Sequence, residues 1–430
     1  MRQPVDGWWP TVPLDSVGTA PVEVRTGDRA WVAFRPAPGA PVGVVEARCP
    51  HRLVRLAHGT VVDGTVQCPY HGWRFGPDGA CTLVPSNGPD AAVPPRARLA
   101  APWGVREADG VLWVAPVDPA APGSPLPDLR ATEETLTNLD ASLEAGWHPL
   151  LLVDEVPDHG QVAAWLLGRE YTVERAGDGF AVTPPVARSA VRFDVLWVAP
   201  AEPRVPLLEC ADDTDPLFAP GWLEPDRSAS PAGVLAENFL DAAHFPFVHA
   251  GTFGAAEETY VEPFEVESDG DGLVSVQDQW FDNPEDPAVL QGIRPVRQRR
   301  RSTYVHRWPF QLLLRLEELD AGAVKTILFF LQPEALDSTR VYTKMLFHGI
   351  GGVAVPPPDV VAKEVAFEVA VLAEDLALQA AMTVRGLPLR MRDELHVRSD
   401  RSGVALRRVL ARHRSPGAAP DPTDPTDPEA

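Results

Sequence analysis

The chain has 430 residues, 45% of them hydrophobic and 23% charged, with 38 basic against 60 acidic side chains and a net charge of −22. That composition supplies core for two or three domains and excludes a wholly disordered or fibrous chain. The acidic excess argues against general binding to nucleic acid or to anionic membranes.

The N-terminus carries no apolar stretch of signal-peptide length, and no window reaches the roughly 18 apolar residues of a spanning helix. Four cysteines, Cys49, Cys68, Cys81 and Cys210, are too few for a disulfide scaffold in a chain this long. A cytoplasmic protein without membrane or nucleic-acid partners is expected.

Up to about residue 120 the chain reads as short β-like runs broken by Gly, Pro and Asp, among them Val22–Arg25, Ala30–Phe34, Val42–Glu46, Thr60–Gln67 and Gly110–Val114. These predict a small antiparallel β domain. Val117–Leu129, VDPAAPGSPLPDL, reads as a linker. A repeat follows. Gly7-Trp8-Trp9-Pro10 is echoed by Gly146-Trp147-His148-Pro149, and Val111-Leu112-Trp113-Val114-Ala115-Pro116 returns letter for letter as Val195-Leu196-Trp197-Val198-Ala199-Pro200. Residues 140–205 are therefore expected to be a degenerate duplicate of the first β domain, shortened by the stretch that carries its metal-binding residues. From about 207 to 413 strands mix with at least two helices, and the final DPTDPTDPEA is a proline-punctuated acidic tail expected to be disordered.

Cys49-Pro50-His51 is followed after sixteen residues by Cys68-Pro69-Tyr70-His71. Two thiolates and two imidazoles suit tetrahedral zinc or a two-iron cluster. Zinc fingers pair Cys with Cys and His with His, whereas here each loop supplies one of each, the donor set of a Rieske cluster with two thiolates on one iron and two histidines on the other. The stretches CPHR (49–52) and CPYHGWRFGPDGAC (68–81) resemble the Rieske family. Tyr70 stands beside His71 where high-potential respiratory members carry an extra loop cysteine, so the chain looks like the oxygenase type. Cys81 and Cys210 read as ordinary small apolar residues.

The second constellation is ENFLDAAHFPFVH, residues 237–249. Asn238, Asp241 and His244 follow at i, i+3 and would share one face of a helix, with His249 beyond a bend at Pro246. A third donor comes from the helix around Lys363–Met382, where Asp375 falls on an apolar stripe of Phe367, Val371, Leu378 and Met382. A carboxylate there needs a metal or a cation such as Arg385 or Arg390. Glu374 is the alternative ligand. Two histidines and one carboxylate are the donor set of non-haem iron oxygenases.

N-x2-D-x2-H-x4-H is similar to the mononuclear-iron motif of Rieske oxygenase α subunits. AEDLALQAAM (373–382) looks like their carboxylate-bearing helix, and DELHVRSDRSGVALRRVLAR (393–412) resembles the end of the α-only, monooxygenase- or demethylase-like branch.

The resemblance implies an α+β chain. An N-terminal antiparallel β Rieske [2Fe-2S] domain (1–120) and the degenerate Rieske-like block (140–205) would precede a helix-grip catalytic domain, an antiparallel sheet with helices (207–413), and a tail (414–430). It implies that Cys49, Cys68, His51 and His71 hold the cluster and that His244, His249 and Asp375 hold Fe(II). Asp241 would link a Rieske histidine of a neighbouring subunit to His244, with Asn238 near the iron. A homotrimer follows from that bridge. Oxygen, NAD(P)H electrons from a reductase, with or without a ferredoxin, and a small organic substrate complete the picture. Hydroxylation or demethylation is expected; oxidative cyclisation, desaturation or N-oxidation, and an electron-transfer protein without catalytic iron, are the alternatives. Phe239, Phe245, Phe247 and Phe253 are candidate pocket residues, and the run Arg297, Arg299–Arg301 is a candidate docking site for an acidic electron donor.

Overall fold

The computed structural model describes residues 3–120, 135–284, 286–382 and 384–414. The predicted tail and most of the predicted linker lie outside the described residues. In the N-terminal unit Val22–Thr26, Arg29–Phe34 and Gly43–Glu46 form one antiparallel sheet, and Val111–Ala115 pairs with Trp9–Pro13 and Gly104–Ala108 in a second. A third sheet joins Thr60–Val62, Thr65–Gln67, Arg74–Phe75 and Cys81–Leu83. The run predicted as one strand, Thr60–Gln67, is thus a hairpin. Asp63 and Gly64 both take positive φ, the geometry of a two-residue turn whose twist matches its strands.

Residues 148–199 repeat two of those sheets. Val195–Ala199 pairs with His148–Leu152 and Arg188–Arg192, and Val162–Leu166, Arg169–Ala176 and Gly179–Thr183 form the other. The register repeats as well. Pro10 faces Trp113 and Pro149 faces Trp197, and each pairing is followed by an irregularity. After Gly179–Thr183 the chain passes directly to Arg188–Arg192. The N-terminal unit instead inserts its third sheet at that point.

The C-terminal half is built on an eight-stranded antiparallel sheet. Its spatial order is Ala219–Trp222, Ser338–His348, Ala323–Ala335, Gln311–Glu318, Arg297–Arg307, Gly272–Asp282 and Glu265–Ser268, with Asp226–Ser228 also pairing to Ser338–His348. Successive side chains of a strand point to opposite faces, and both faces here are covered. Ile327, Phe329 and Leu331 join the core shared with the helices and the N-terminal unit. Leu328 and Phe330 pack against Phe193 and Trp197 of the second β unit. Burial on both sides explains why this strand reads as a continuous apolar run rather than an alternating one.

The helices are α1 (Ala232–Phe239), α2 (Phe245–Val248), α3 (Pro287–Leu290), α4 (Pro358–Met382) and α5 (Arg401–Arg414). Two expectations need correction. The segment 237–249 is not one helix through His244: α1 stops at Phe239 and α2 restarts with Pro246 in its first turn. Proline cannot donate the N–H that a continuous helix needs, and Asp241 Oδ1 accepts from the Ala243 N–H (2.8 Å), offering the backbone a local alternative. The predicted stripe of α4 also loses one member: Val371 and Met382 are buried and Leu378 packs on the core, but Phe367 does not. Val371, Gln379 and Met382 are buried, while Phe367 is 41% exposed beneath the Lys325 ammonium. No helix among the described residues is long and apolar enough to cross a membrane.

Candidate metal centres

The two cysteine loops have matching backbones. Leu53 N–H donates to Cys49 O and Cys49 N–H to Val54 O (both 3.0 Å), and Gly72 to Cys68 O (3.1 Å) and Cys68 to Trp73 O (2.8 Å) repeat the pattern. Leu53 and Gly72, each four residues past its cysteine, both take positive φ, a conformation easy for glycine and strained for leucine. These turns bring the Cys49 and Cys68 thiols into hydrogen-bond contact and the His51 and His71 rings to 4.4 Å between centroids. His51 stacks on Trp73 at 4.6 Å. All four donor residues are buried.

Each imidazole uses its outer nitrogen elsewhere. His51 Nε2 lies 3.0 Å from both Asp400 oxygens, and His71 Nε2 donates to Asp241 Oδ2. That commits the protons to Nε2 and leaves Nδ1 of each ring free to ligate; His51 Nδ1 is buried with no partner among the described residues. Burial pushes His51 down to about 3, with Asp400 opposing, so its ring is neutral as a ligand must be. Two facing buried thiols and two buried imidazoles fit a Rieske cluster.

The second donor set converges on one point. His244 Nε2 and His249 Nε2 are 3.1 Å apart, and Asp375 Oδ1 lies 3.5 Å from each. Metal–nitrogen bonds of about 2.1 Å at right angles would place neighbouring donors about 3 Å apart. Asp375 Oδ1 is itself buried without a hydrogen-bond partner among the described residues. Burial lowers His244, yet Asp241 and Asp375 outweigh it and hold the ring up at about 9. A dication would take up that surplus negative charge in place of the proton. Asp375 thus faces the histidines, not Arg385 or Arg390.

Glu374 is not a third-position ligand. Its Oε2 accepts from His249 Nδ1 (3.0 Å) and from the Thr252 hydroxyl (2.8 Å), fixing the tautomer that aims Nε2 inward. Replacing Glu374 with alanine is expected to weaken Fe(II) retention by about 10- to 100-fold while the cluster spectrum is unchanged. Anaerobic Fe(II) titration of the variant measures this, and wild-type affinity would remove Glu374 from the site.

Asp241 joins the two sets. One oxygen contacts His71 Nε2 and lies 3.5 Å from His244 Nδ1. Sequence led to the expectation of a neighbouring subunit's histidine here; the histidine that Asp241 meets in this single chain is its own His71. Asn238 likewise serves the junction, donating to Tyr70 Oη (3.1 Å) beside His71.

The aromatic candidates separate. Phe245 meets the His244 ring edge-on (4.9 Å) and Phe253 stacks on His249 (4.8 Å), whereas Phe239 stacks on Phe329 in the core (4.7 Å). Phe247 fills the space above Gly72, where a Cβ would come within 2.1 Å of its ring, so it belongs to the junction and not to a pocket. Three of the four arginines of the basic run pair within the chain, Arg299 and Arg301 on Asp278 (3.0 and 2.7 Å) and Arg297 on Glu258, while Arg300 lies over the Phe281 ring. Asp400 and Tyr70 escaped the sequence reading, because their partners lie 349 and 168 residues away and no local spacing marks them.

The Rieske [2Fe-2S] domain family matches residues 7–100, and the vanillate O-demethylase oxygenase C-terminal domain family matches residues 228–415. The 3-chlorobenzoate-3,4-dioxygenase oxygenase subunit of Comamonas testosteroni is 35% identical over 160 residues, covering 33% of this chain and 37% of that protein. The 4β-methylsterol monooxygenase of Methylococcus capsulatus is 40% identical over 112 residues, 26% and 30% of the two chains. The chain spans well under half the length of these curated relatives. A solved structure of Pseudomonas putida CBB5 NdmA with caffeine aligns over 95% of this chain and 93% of that chain, at 19% identity and a TM-score of 0.39.

Proposed function

Because this chain belongs to the α subunits of the Rieske oxygenases, we propose that it oxidises a small organic substrate, aromatic or alicyclic, by hydroxylation or demethylation. Oxygen is the oxidant, and electrons come from NAD(P)H through a separate reductase, directly or by way of a ferredoxin. Cys49 and Cys68 would hold one iron of the [2Fe-2S] cluster and His51 and His71 the other, through Nδ1. His244, His249 and Asp375 would hold Fe(II) on one face, and iron so held supplies oxygen activation at its open positions. We assign residues 140–205 as a second copy of the N-terminal β scaffold without the cluster loops.

The observation that carries this reading is the array itself: two complete donor sets, each buried, joined through one carboxylate. The surrounding side chains orient and exclude. Glu374 fixes the His249 ring, Asp241 stands 3.5 Å from His244 Nδ1, and Phe245 and Phe253 pack on the two rings. Gln379, one turn along α4 from Asp375, is 1% exposed and its amide finds no partner among the described residues.

Iron and acid-labile sulfide analysis, with EPR of the dithionite-reduced protein, tests the assignment. About two sulfides and three irons per chain are expected, with a Rieske-type signal. About two irons, with the third not recovered by anaerobic Fe(II) loading of intact protein, would leave an electron-transfer protein. Zinc without sulfide would remove both.

A further inference from the structure

We propose that the substrate is an organic acid, and that Arg300 reads its anionic group from the sheet wall that faces α4. This rests on the proposed function, whose substrate class it narrows.

The pleat of Gly272–Asp282 is inverted. Alternate residues of a strand face opposite sides, and here the apolar Val274, Val276 and Trp280 are exposed (56% for Trp280) while Ser275 and Gln277 are buried. The paired strand Arg297–Arg307 turns Arg300, Ser302 and Tyr304 to the same inner side. That side is the one the helices cover. Leu314 and Leu316, which face Tyr304 and Ser302 across the next strand pair, belong to one apolar cluster with Leu372 and Leu376 of α4. Burying polar residues and exposing apolar ones reverses the pattern that normally fixes a sheet's register. Such breaks in local rules are expected at functional positions.

The inward polar groups have capacity left. Gln277 Nε2 and Gln279 Nε2 donate to Ser275 Oγ (3.4 Å) and Ser302 Oγ (3.3 Å), and each hydroxyl keeps its own proton to give. Arg300 makes no hydrogen bond or ion pair among the described residues, although its Nε is fully enclosed. Its guanidinium lies over the Phe281 ring at 4.7 Å. Glu318, its neighbour across the strand pair, accepts from Asn283 Nδ2 instead (2.9 Å). The nearby charges of α4 do not answer Arg300 either. Glu364 is held by Lys325 (2.6 Å), and burial pushes Glu368 up to about 6, with Lys325 opposing. Burial also pushes Arg300 down, with Tyr304 and Glu318 opposing. A guanidinium nonetheless stays charged, and an enclosed cation without a counter-charge is costly. Its planar fork of donors matches an oxyacid group.

The wall runs toward the second metal centre. Tyr304 is four residues along the same strand from Arg300, about 13 Å at strand rise. It meets Phe239 edge-on (6.5 Å) at the end of α1, just ahead of His244. Overhead, Asp375 follows Glu364 by three turns of α4. An acid group held at Arg300 leaves the rest of a small molecule to extend along this wall toward His244, His249 and Asp375.

Arg300→Gln in the full-length protein is the test. Without ligand, the variant is expected to melt at or above the wild-type temperature, because it removes an enclosed charge that no side chain answers. A clear loss of stability would make Arg300 part of the fold and overturn the proposal. Calorimetric titration with aromatic and alicyclic carboxylates, sulfonates and phosphate monoesters, each beside its neutral amide or alcohol, reads the ligand. Acids are expected to bind the wild type and to lose about 10- to 100-fold in affinity in Arg300→Gln, with part of the loss restored in Arg300→Lys. Arg301→Gln, on the outer face beside Asp278, should bind like the wild type. The preferred member of the panel names the oxyacid group. Neutral partners binding as tightly as the acids, inorganic phosphate binding as tightly as any of them, or no acid binding at millimolar concentration would each overturn the proposal. Binding is read without turnover, so failure here is separable from failure of the iron and sulfide analysis.

Discussion

Replacing Asp241 with asparagine is expected to leave the sulfide and iron content unchanged and to slow passage of electrons between the two centres by about 10- to 100-fold. Its Oδ2 lies between two imidazoles, accepting from His71 Nε2 and standing 3.5 Å from His244 Nδ1. Burial opposes its charge, yet the two rings hold it well below the usual carboxylate range. Asparagine has the same shape and can keep the Ala243 N–H contact made by Oδ1. With its oxygen on the Ala243 N–H, its NH2 takes the place of Oδ2, the one oxygen that faces both rings, so both imidazoles meet a donor and His71 loses the acceptor that fixes its tautomer. Stopped-flow mixing of the anaerobically reduced protein with oxygen, following cluster reoxidation by absorbance, measures the rate. A wild-type rate with both centres filled would mean that Asp241 only packs the junction.

The chemistry of the site was legible in sequence to unequal depth. Cys49, His51, Cys68 and His71 stood out because each of two short loops supplies one thiol and one imidazole at a close spacing, and the fold gathers the four. His244 and His249 were found the same way, although the helix expected to carry them breaks after Phe239. The break matters, because a continuous helix would fix Asp241 at its i−3 position from His244, whereas the observed loop lets the carboxylate reach His71 as well. Asp375 was visible as an acid on an apolar stripe, although Phe367 of that stripe is exposed. What escaped was long range. Asp400 on His51 and Tyr70 on Asn238 are contacts between separate units, set by how domains dock and not by any local period. The repeat of residues 140–205 was readable from two short identities, but nothing in those letters told which face of the sheet it would cover.

Arg407→Met is expected to destabilise the catalytic domain by about 3–5 kcal/mol, the cost of orphaning buried carboxylates. Arg407 is 1% exposed on α5, donates from Nε to Pro388 O (2.8 Å), and clasps both Glu237 of α1 and Glu394. Gly403 on the same helix leaves room for Glu237, since a Cβ there would sit 2.6 Å from its carboxylate oxygen. Without Arg407, both carboxylates would depend on Arg52 at 3.3 and 3.5 Å. Burial already pushes Glu394 up to about 7 from its ordinary 4.5, with Arg52 opposing. A carboxyl with a raised folded value favours the fold while protonated. That contribution is whole below about 4.5 and lost as pH rises through about 7. Losing the Arg407 cation should carry the window further upward, so the variant should be closest to wild type in mild acid and fall furthest behind above neutrality. Urea unfolding at several pH values reads both effects, and adding Glu237→Gln to Arg407→Met should recover part of the loss by removing one orphaned charge. A loss under about 1 kcal/mol at every pH would show the cluster to be screened like surface pairs. The ion pairs would then not be what holds α5 against α1 behind the two metal centres.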